Sequence, residues 1–428
     1  MRVGIARERL LGERRVAATP ETVRQLLAQG LDVSVESGAG AAAGHADAAY
    51  AEAGAEVVPA LDLAAVDLLA HVRPLHPATA AALRPGTVTV GLASPSTELP
   101  TVRALTDARV TAFALELVPR ISRAQSMDAL TSQALVTGYR CVLEAAIRLP
   151  RFFPLYMTAA GTIPPAKVLV LGAGVAGLQA IGTAKRLGAR VSANDIRPAS
   201  ADEVASMGGT FVHLDVDSAE AMQAAGGYAR ELSADRGALQ RRLLAPHVAD
   251  ADVLITTAAV PGRRAPLLVT RDMVAAMRPG SVVVDMAAES GGNVEGSVPG
   301  EDVAVPTADG AGAVTVVGLK DAASTMPADA SRLYAKNVAN FIELLVPRGP
   351  GDGGEISPDF DDEVVAGACL THAGEVRHEP TAEALAALAA TAAATAPAGG
   401  AGGSTVGAGT ARREGPPGGA DEIEEGAG

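Results

Sequence analysis

The sequence predicts an α/β protein of two parallel-sheet domains followed by a disordered tail. Three observations predict it. Short, nearly continuous apolar runs alternate with Ala-rich helical stretches as far as about residue 320, the pattern of parallel strands buried on both faces. A glycine-rich turn joins one such run to one such helix. After about residue 380 Ala, Gly and Pro dominate and no aromatic residue appears.

The elements follow in order. Arg2–Ala6 is expected to be the first strand. Thr19-Pro20-Glu21 then starts a helix, because Thr caps free amides and Pro suits the first helical position; Gly30 ends it. Strands are expected at Leu31–Glu36, Val66–Val72, Thr87–Ala93 and Val110–Glu116. A long helix covers Met127–Leu149, and the Pro-rich Phe152–Pro165 stretch suggests a hinge or domain crossing. A second unit carries strands at Lys167–Leu171, Arg190–Asp195, Val253–Thr257, Ser281–Asp285 and Val314–Val317. A helix over Ala328–Val346 could return to the first unit. The expected division is therefore a discontinuous first domain, 1–125 with 325–378, a second domain at 126–324, and a tail at 379–428. That tail cannot bury enough surface to offset its ordering entropy, although Thr381–Thr395 could form a transient Ala helix.

Composition excludes several functions. The 428 residues exceed one ordinary core. Hydrophobic residues at 48% and charged residues at 20% fit a soluble globular protein. Aromatics are only 3%, without Trp, so Ala, Val and Leu must build the core. Cys141 and Cys369 cannot form a disulfide framework and read as reduced, buried thiols. A net charge of −14 argues against nucleic-acid binding, which needs a basic face. No apolar run is long enough to span a bilayer, and Met1–Arg9 is charged at once, without a signal core. The expected location is cytoplasmic, with any membrane link made through a partner.

The strongest motif is Gly172-Ala173-Gly174-Val175-Ala176-Gly177, after the run VLVL and at the start of a helix. In that context Gly172 permits a tight turn, Gly174 lets backbone approach a pyrophosphate, and Gly177 allows close helix–strand packing. The helix start supplies free amides and the positive end of its dipole. Asp195 ends the next strand about 20 residues further on, where a carboxylate accepts hydrogen bonds from the adenosine ribose hydroxyls. It would repel a 2′-phosphate, which predicts NAD. Arg197 is placed either to accept that phosphate or to face adenine or solvent.

General acid/base chemistry is hard to find. None of the seven His residues lies in a recognisable catalytic motif, and no Cys/His spacing fits zinc. His71 and His76, in HVRPLHP, remain the only substrate-site candidates of the first unit. Pro119–Tyr139 concentrates Arg120, Arg123, Gln125, Ser126 and Asp128 at the junction of the two units. Such a cluster could orient a ligand. It could equally be a capped helix start, with Ser126 as N-cap and Met127–Asp128 in the first turn.

Several long runs carry a resemblance: VGIARERLLGERRVAATPETV, RISRAQSMDAL, TAAGTIPPAKVLVLGAGVAGLQAI, GYAREL, PGRRAPLL, PGSVVVDMAAESGGNVE and LYAKNVANF. Over about residues 1–378 the chain resembles the NAD(H)-binding part of proton-translocating NAD(P) transhydrogenases, which are related to alanine dehydrogenases. The resemblance implies two Rossmann-like, doubly wound parallel-sheet domains with a cleft between them, and a homodimer. It implies direct hydride transfer between NAD(H) on this chain and NADP(H) on a partner subunit, coupled to proton movement by a membrane-spanning partner. Such transfer needs no protein acid or base.

On the matching positions, the loop that orients the nicotinamide falls on Arg120, Gln125 and Asp128, with Thr131 where the family pattern has Ser. Nucleotide contacts fall on Gly172, Gly174, Val175, Ala176, Gly177, Asp195, Ile196, Arg197, Gly227, Gln240 and Ala259, and Tyr228 matches the Tyr of a loop that closes over the nucleotide. The family's GYT segment reads GLK at Gly318–Lys320. Two alternatives stand beside this reading. One is an alanine dehydrogenase-like enzyme, for which Arg15 and Arg73 would stand at the substrate positions, although TVTVGLAS lacks the His that such enzymes carry there. The other is a non-catalytic NAD-binding module.

Overall fold

The computed structural model describes residues 1–214, 234–259, 263–346 and 355–395. Its strands, in chain order, are β1 (Arg2–Ile5), β2 (Asp32–Glu36), β3 (Glu56–Val58), β4 (Leu68–Ala70), β5 (Val88–Gly91), β6 (Thr111–Ala114), β7 (Tyr156–Thr158), β8 (Gly161–Ile163), β9 (Lys167–Leu171), β10 (Arg190–Asn194), β11 (Thr210–Phe211), β12 (Val253–Thr256), β13 (Val282–Asp285), β14 (Asp302–Pro306), β15 (Ala313–Gly318), β16 (Cys369–His372) and β17 (Glu375–Val376). They form one sheet of order β17-β16-β6-β5-β4-β1-β2-β3, a second of order β11-β10-β9-β12-β13-β15-β14, and the β7–β8 hairpin. β1 to β6 pair in parallel, as do β9 to β13 with β15; β14 and the β16–β17 ribbon are antiparallel edges.

Side-chain alternation explains the layering. In β9, Val168 and Val170 enter a core with Cys141, Val142, Ala180 and Ile181, on helices Ala129–Arg148 and Val175–Arg186. Leu169 and Leu171 point the other way, into a core with Leu244, Val248 and Met273. A strand with period two can fill both cores only if every inward residue on either face is apolar, which is why Val168–Leu171 reads as an unbroken VLVL run. Helix Pro327–Leu344 packs Tyr334, Val338 and Phe341 into the core of the first sheet, and β16 then pairs with β6, so the chain returns to its first sheet after completing the second.

The first helix, Pro20–Ala28, begins as expected: the Thr19 side chain accepts from the Thr22 amide, and Pro20 occupies the first position. Both cysteines are buried and free. Two expectations need correction. The Pro-rich stretch carries the β7–β8 hairpin, because Ala159-Ala160 can make the tight connection while Pro164-Pro165 stops further pairing. Helix Ala129–Arg148 starts two residues late, and its N-cap is Asp128 rather than Ser126. The Ala helix expected at Thr381–Thr395 spans Glu379–Thr395, where Thr381 is buried and Leu385 packs against the core of the first sheet. Among the described residues no helix is long and apolar enough to cross a membrane.

Candidate functional site

The second sheet changes winding direction between β9 and β12, and the loops leaving these two strands face each other. Crevices at such switch points are where open α/β sheets take ligands. Gly172 has φ +101°, a left-handed conformation, and Thr257, just past β12, donates its hydroxyl to the Gly172 carbonyl at 3.1 Å. A Cβ on Gly177 would lie 1.9 Å from that same carbonyl oxygen, so helix Val175–Arg186 closes on the loop only with Gly there. A Cβ on Gly174 would meet nothing within 4 Å. Packing therefore does not demand Gly at 174; the bare backbone leaves room for a bulky group beside the loop. No side chain caps the helix that Gly174 begins, and Val175 is exposed. A pyrophosphate fits this cradle: open backbone, unpaired amides and a helix start.

Asp195 follows β10. Its Oδ2 accepts from the Ala173 amide at 2.7 Å and its Oδ1 from the Arg197 amide at 2.8 Å. Arg197 is partly exposed and pairs with Asp195. Its guanidinium turns back onto Asp195, with Nε 3.1 Å from Oδ1 and Nη2 3.3 Å from Oδ2. Ala176 and Ile196 are half-buried beside these residues in sequence. Ala259, exposed, lies two residues beyond Thr257. Gln240 is buried within helix Ala234–Asp250. Gly227 and Tyr228 lie outside the described residues.

Sequence reasoning missed the residues that shape the other side of this crevice. Buried Asn293 receives the Ala258 amide at 3.1 Å and donates to the Ala258 and Pro266 carbonyls, both at 2.8 Å. Buried Asp285 in turn accepts from the Asn293 and Val294 amides at 3.0 and 3.2 Å. A buried carboxylate at the end of the apolar run VVVD was the available signal for Asp285; Asn293, in the loop beyond it, had none.

The second cluster precedes helix Ala129–Arg148. Ser122–Met127 forms a 3-10 turn, and the Ser126 carbonyl accepts from Asn337 and Asn340, which uses it to anchor the turn on helix Pro327–Leu344. Asp128 accepts from the Thr131 amide at 2.8 Å and the Thr131 hydroxyl at 2.6 Å. Arg120 and Gln125 are exposed, and among the described residues the Gln125 side chain makes no hydrogen bond. Arg123 is committed elsewhere, in a two-pronged ion pair with Asp362 at 2.7 and 2.8 Å.

One helix links the two clusters. A Cβ on Gly138 would lie 2.2 Å from the Ala176 carbonyl, so helix Ala129–Arg148 touches the start of the glycine-loop helix. From Thr131 to Gly138 it rises roughly 10 Å. A mid-helix Gly costs about 1 kcal/mol against Ala, so its presence marked a close approach.

The candidates for proton chemistry are tied up. His71 is buried; burial pushes its imidazole down to about 4, although its Nδ1 lies 2.7 Å from the Arg73 carbonyl. His76 caps a helix, accepting from the Ala78 amide. Arg15 meets Glu13 through Nε and Nη2 at 2.8 and 2.7 Å and Gln133 through Nη1 at 2.8 Å, and Arg73 pairs with Glu13 and Asp321. Burial pushes the Glu13 carboxyl up, but Arg15 and Arg73 outweigh it and hold it at about 2. Among the described residues no cluster of three His, Cys, Asp or Glu is placed to hold a metal.

Glu8 behaves oppositely. Burial raises it to about 7, against the amides of Val72 and Arg73 that it accepts from. As pH rises from about 4.5 to 7 the unfolded chain releases this proton and the folded chain keeps it, so stability falls across that window and is level above it. Glu8→Gln should abolish the fall, gaining up to about 3 kcal/mol over the wild type at pH 7.5 relative to pH 4.5. Urea unfolding at both pH values reads this; an unchanged difference would show that Glu8 titrates normally.

Two doubly wound sheets with a glycine loop at the switch point of the second define the class of two-domain, dinucleotide-binding α/β proteins. Comparison with known proteins narrows it. Models described as alanine dehydrogenase/PNT N-terminal and C-terminal domains match residues 4–137 and 141–379. The chain belongs to the alanine dehydrogenase/PNT family. It is 43% identical over 387 residues to an NAD(P) transhydrogenase subunit alpha polypeptide of Rhodospirillum rubrum, covering 88% of this chain and 98% of that protein. Alanine dehydrogenase of Mycobacterium tuberculosis is 33% identical over 307 residues, 70% of this chain and 76% of that one. Among solved structures, transhydrogenase from Sinorhizobium meliloti superposes with a TM-score of 0.76 at 42% identity, covering 89% of this chain and all of that one. An L-alanine dehydrogenase gives 0.74 at 25% identity, over 91% of this chain and all of that one.

Proposed function

We propose that this chain is the NAD(H)-binding alpha subunit of a proton-translocating NAD(P) transhydrogenase. The observation that carries the reading is a dinucleotide cradle whose acid/base candidates from the sequence are committed elsewhere among the described residues: His71 is buried and bonded to backbone, and Arg15 and Arg73 are consumed by Glu13 and Asp321. A hydride moved between two nicotinamides carries both electrons with it and requires no protein proton. The identity to transhydrogenase alpha subunits, 43% against 33% for the alanine dehydrogenase, supports the same choice.

In this reading Gly172, Gly174, Val175, Ala176 and Gly177 hold the pyrophosphate; Asp195, Ile196 and Arg197 surround the adenosine ribose; and Gly227, Tyr228, Gln240 and Ala259 complete the nucleotide contacts. Arg120, Gln125, Asp128 and Thr131 fix the nicotinamide, with Asp128 and Thr131 bracing each other. Residues 1–125 with 325–378 form one domain and 126–324 the nucleotide-binding one. NADP(H) binds a partner subunit, and a membrane-spanning partner couples the transfer to protons at the cytoplasmic face. A homodimer is supported by the β7–β8 hairpin, where Phe152, Tyr156 and Met157 are 52%, 46% and 78% exposed. An isolated two-stranded ribbon is marginal in water, so an apolar one calls for a covering surface.

The test supplies the purified chain with NADH and either an NADP-loaded partner domain or pyruvate with ammonium. Oxidation of NADH only with the partner domain is expected. Oxidation with pyruvate and ammonium would make the chain an amino-acid dehydrogenase, and oxidation with neither would leave an NAD-binding module.

A further inference from the structure

The acceptor directions of Asp195 are already filled before any ribose is present. Its two oxygens offer about four acceptor directions. The Arg197 amide and Nε take two on Oδ1; the Ala173 amide and Arg197 Nη2 take two on Oδ2. The two amides belong to the loops themselves and stay put. The other two donors belong to one guanidinium, one on each oxygen, and a vicinal diol would present its two hydroxyls to that same pair of directions. Arg197 is further fixed by Nη2 bonding the Ala173 carbonyl at 3.2 Å. Asp195 is nearly buried, whereas Arg197 is 34% exposed and has solvent to swing into.

We propose that Arg197 is an internal competitor for the ribose-binding edge of Asp195 and sets the discrimination between NAD(H) and NADP(H) at this site. This rests on the assignment of Asp195 to the adenosine ribose. Binding of the diol displaces the guanidinium from both oxygens. The displaced cation, two residues away, stays near the 2′ position and offsets the charge with which Asp195 repels a 2′-phosphate. The site thus gives up NADH affinity and part of its selectivity for as long as Arg197 is present.

The experiment titrates the complete chain with NADH and with NADPH, following nucleotide fluorescence, which the absence of Trp leaves clear. Arg197→Ala should bind NADH about three- to tenfold more tightly, the range expected for release of a partly exposed ion pair. It should bind NADPH more weakly, widening the ratio at least tenfold. Arg197→Lys keeps the charge without the fork. It should tighten NADH while retaining the wild-type NADPH affinity, and it serves if the Ala variant does not fold. Unchanged or weaker NADH binding by both variants overturns the proposal. Asp195→Ala separates the two failures. If it leaves NADH affinity intact, the ribose assignment falls and the proposal with it. If it weakens NADH at least tenfold while the Arg197 variants gain nothing, only the competitor role is wrong.

Discussion

Gly174→Ala should leave the chain folded, within about 1 kcal/mol of the wild type, and should lose most of its NADH affinity. Gly177→Ala should lose stability as well as affinity. The contrast follows from what a single methyl would meet. At 174 the backbone has φ −73° and ψ −172°, which any residue adopts, and no protein atom lies within 4 Å of the added carbon. Only a ligand would collide with it. At 177 the methyl would sit 1.9 Å from the Gly172 carbonyl oxygen, and neither atom can yield without parting the helix from the loop. Overpacking of that kind costs about 1–3 kcal/mol, a loss of several degrees in melting temperature. Thermal melting by circular dichroism and NADH titration separate the two effects. Should Gly174→Ala bind NADH normally, the phosphates lie elsewhere and the assignment of this cradle fails.

The orienting loop should show the opposite split. Arg120→Ala or Gln125→Asn should slow hydride transfer to the NADP-loaded partner about 100-fold, because a misplacement of about 1 Å in a reacting pair has that order of effect. NADH affinity should change only a few-fold, since the adenosine and pyrophosphate contacts are untouched. Single-turnover transfer and equilibrium binding, measured on one preparation, decide it. An equal loss in both would mean that the two residues hold the nucleotide without aiming it.

Much of this was readable in the sequence, and the reason is physical. The central strands had to be apolar on both faces, so KVLVL and VVVD announced themselves. The glycine loop was legible because sterics leave no alternative at 172 and 177. The short β3 and β11, the antiparallel edge β14 and the β16–β17 ribbon went unread, because edge strands need no unbroken apolar run. The β7–β8 hairpin hid behind its prolines. The pairing of Arg197 with Asp195 went unread for another reason: it depends on a turn that brings both side chains back over Ala173, which spacing alone does not reveal. Ser126 was a plausible cap, but Asn337 and Asn340, far along the chain, claim its carbonyl.

The contact of Gly138 with Ala176 makes helix Ala129–Arg148 a strut between two recognition points roughly 10 Å apart along its axis. On the proposed assignments, recognition of a dinucleotide here would be bivalent. Once the adenosine half is seated, the other half faces its pocket at an effective concentration in about the millimolar range. The two sites would thereby reinforce each other, and a mononucleotide, able to engage only one end of the strut, would forfeit that multiplication whichever end it chose.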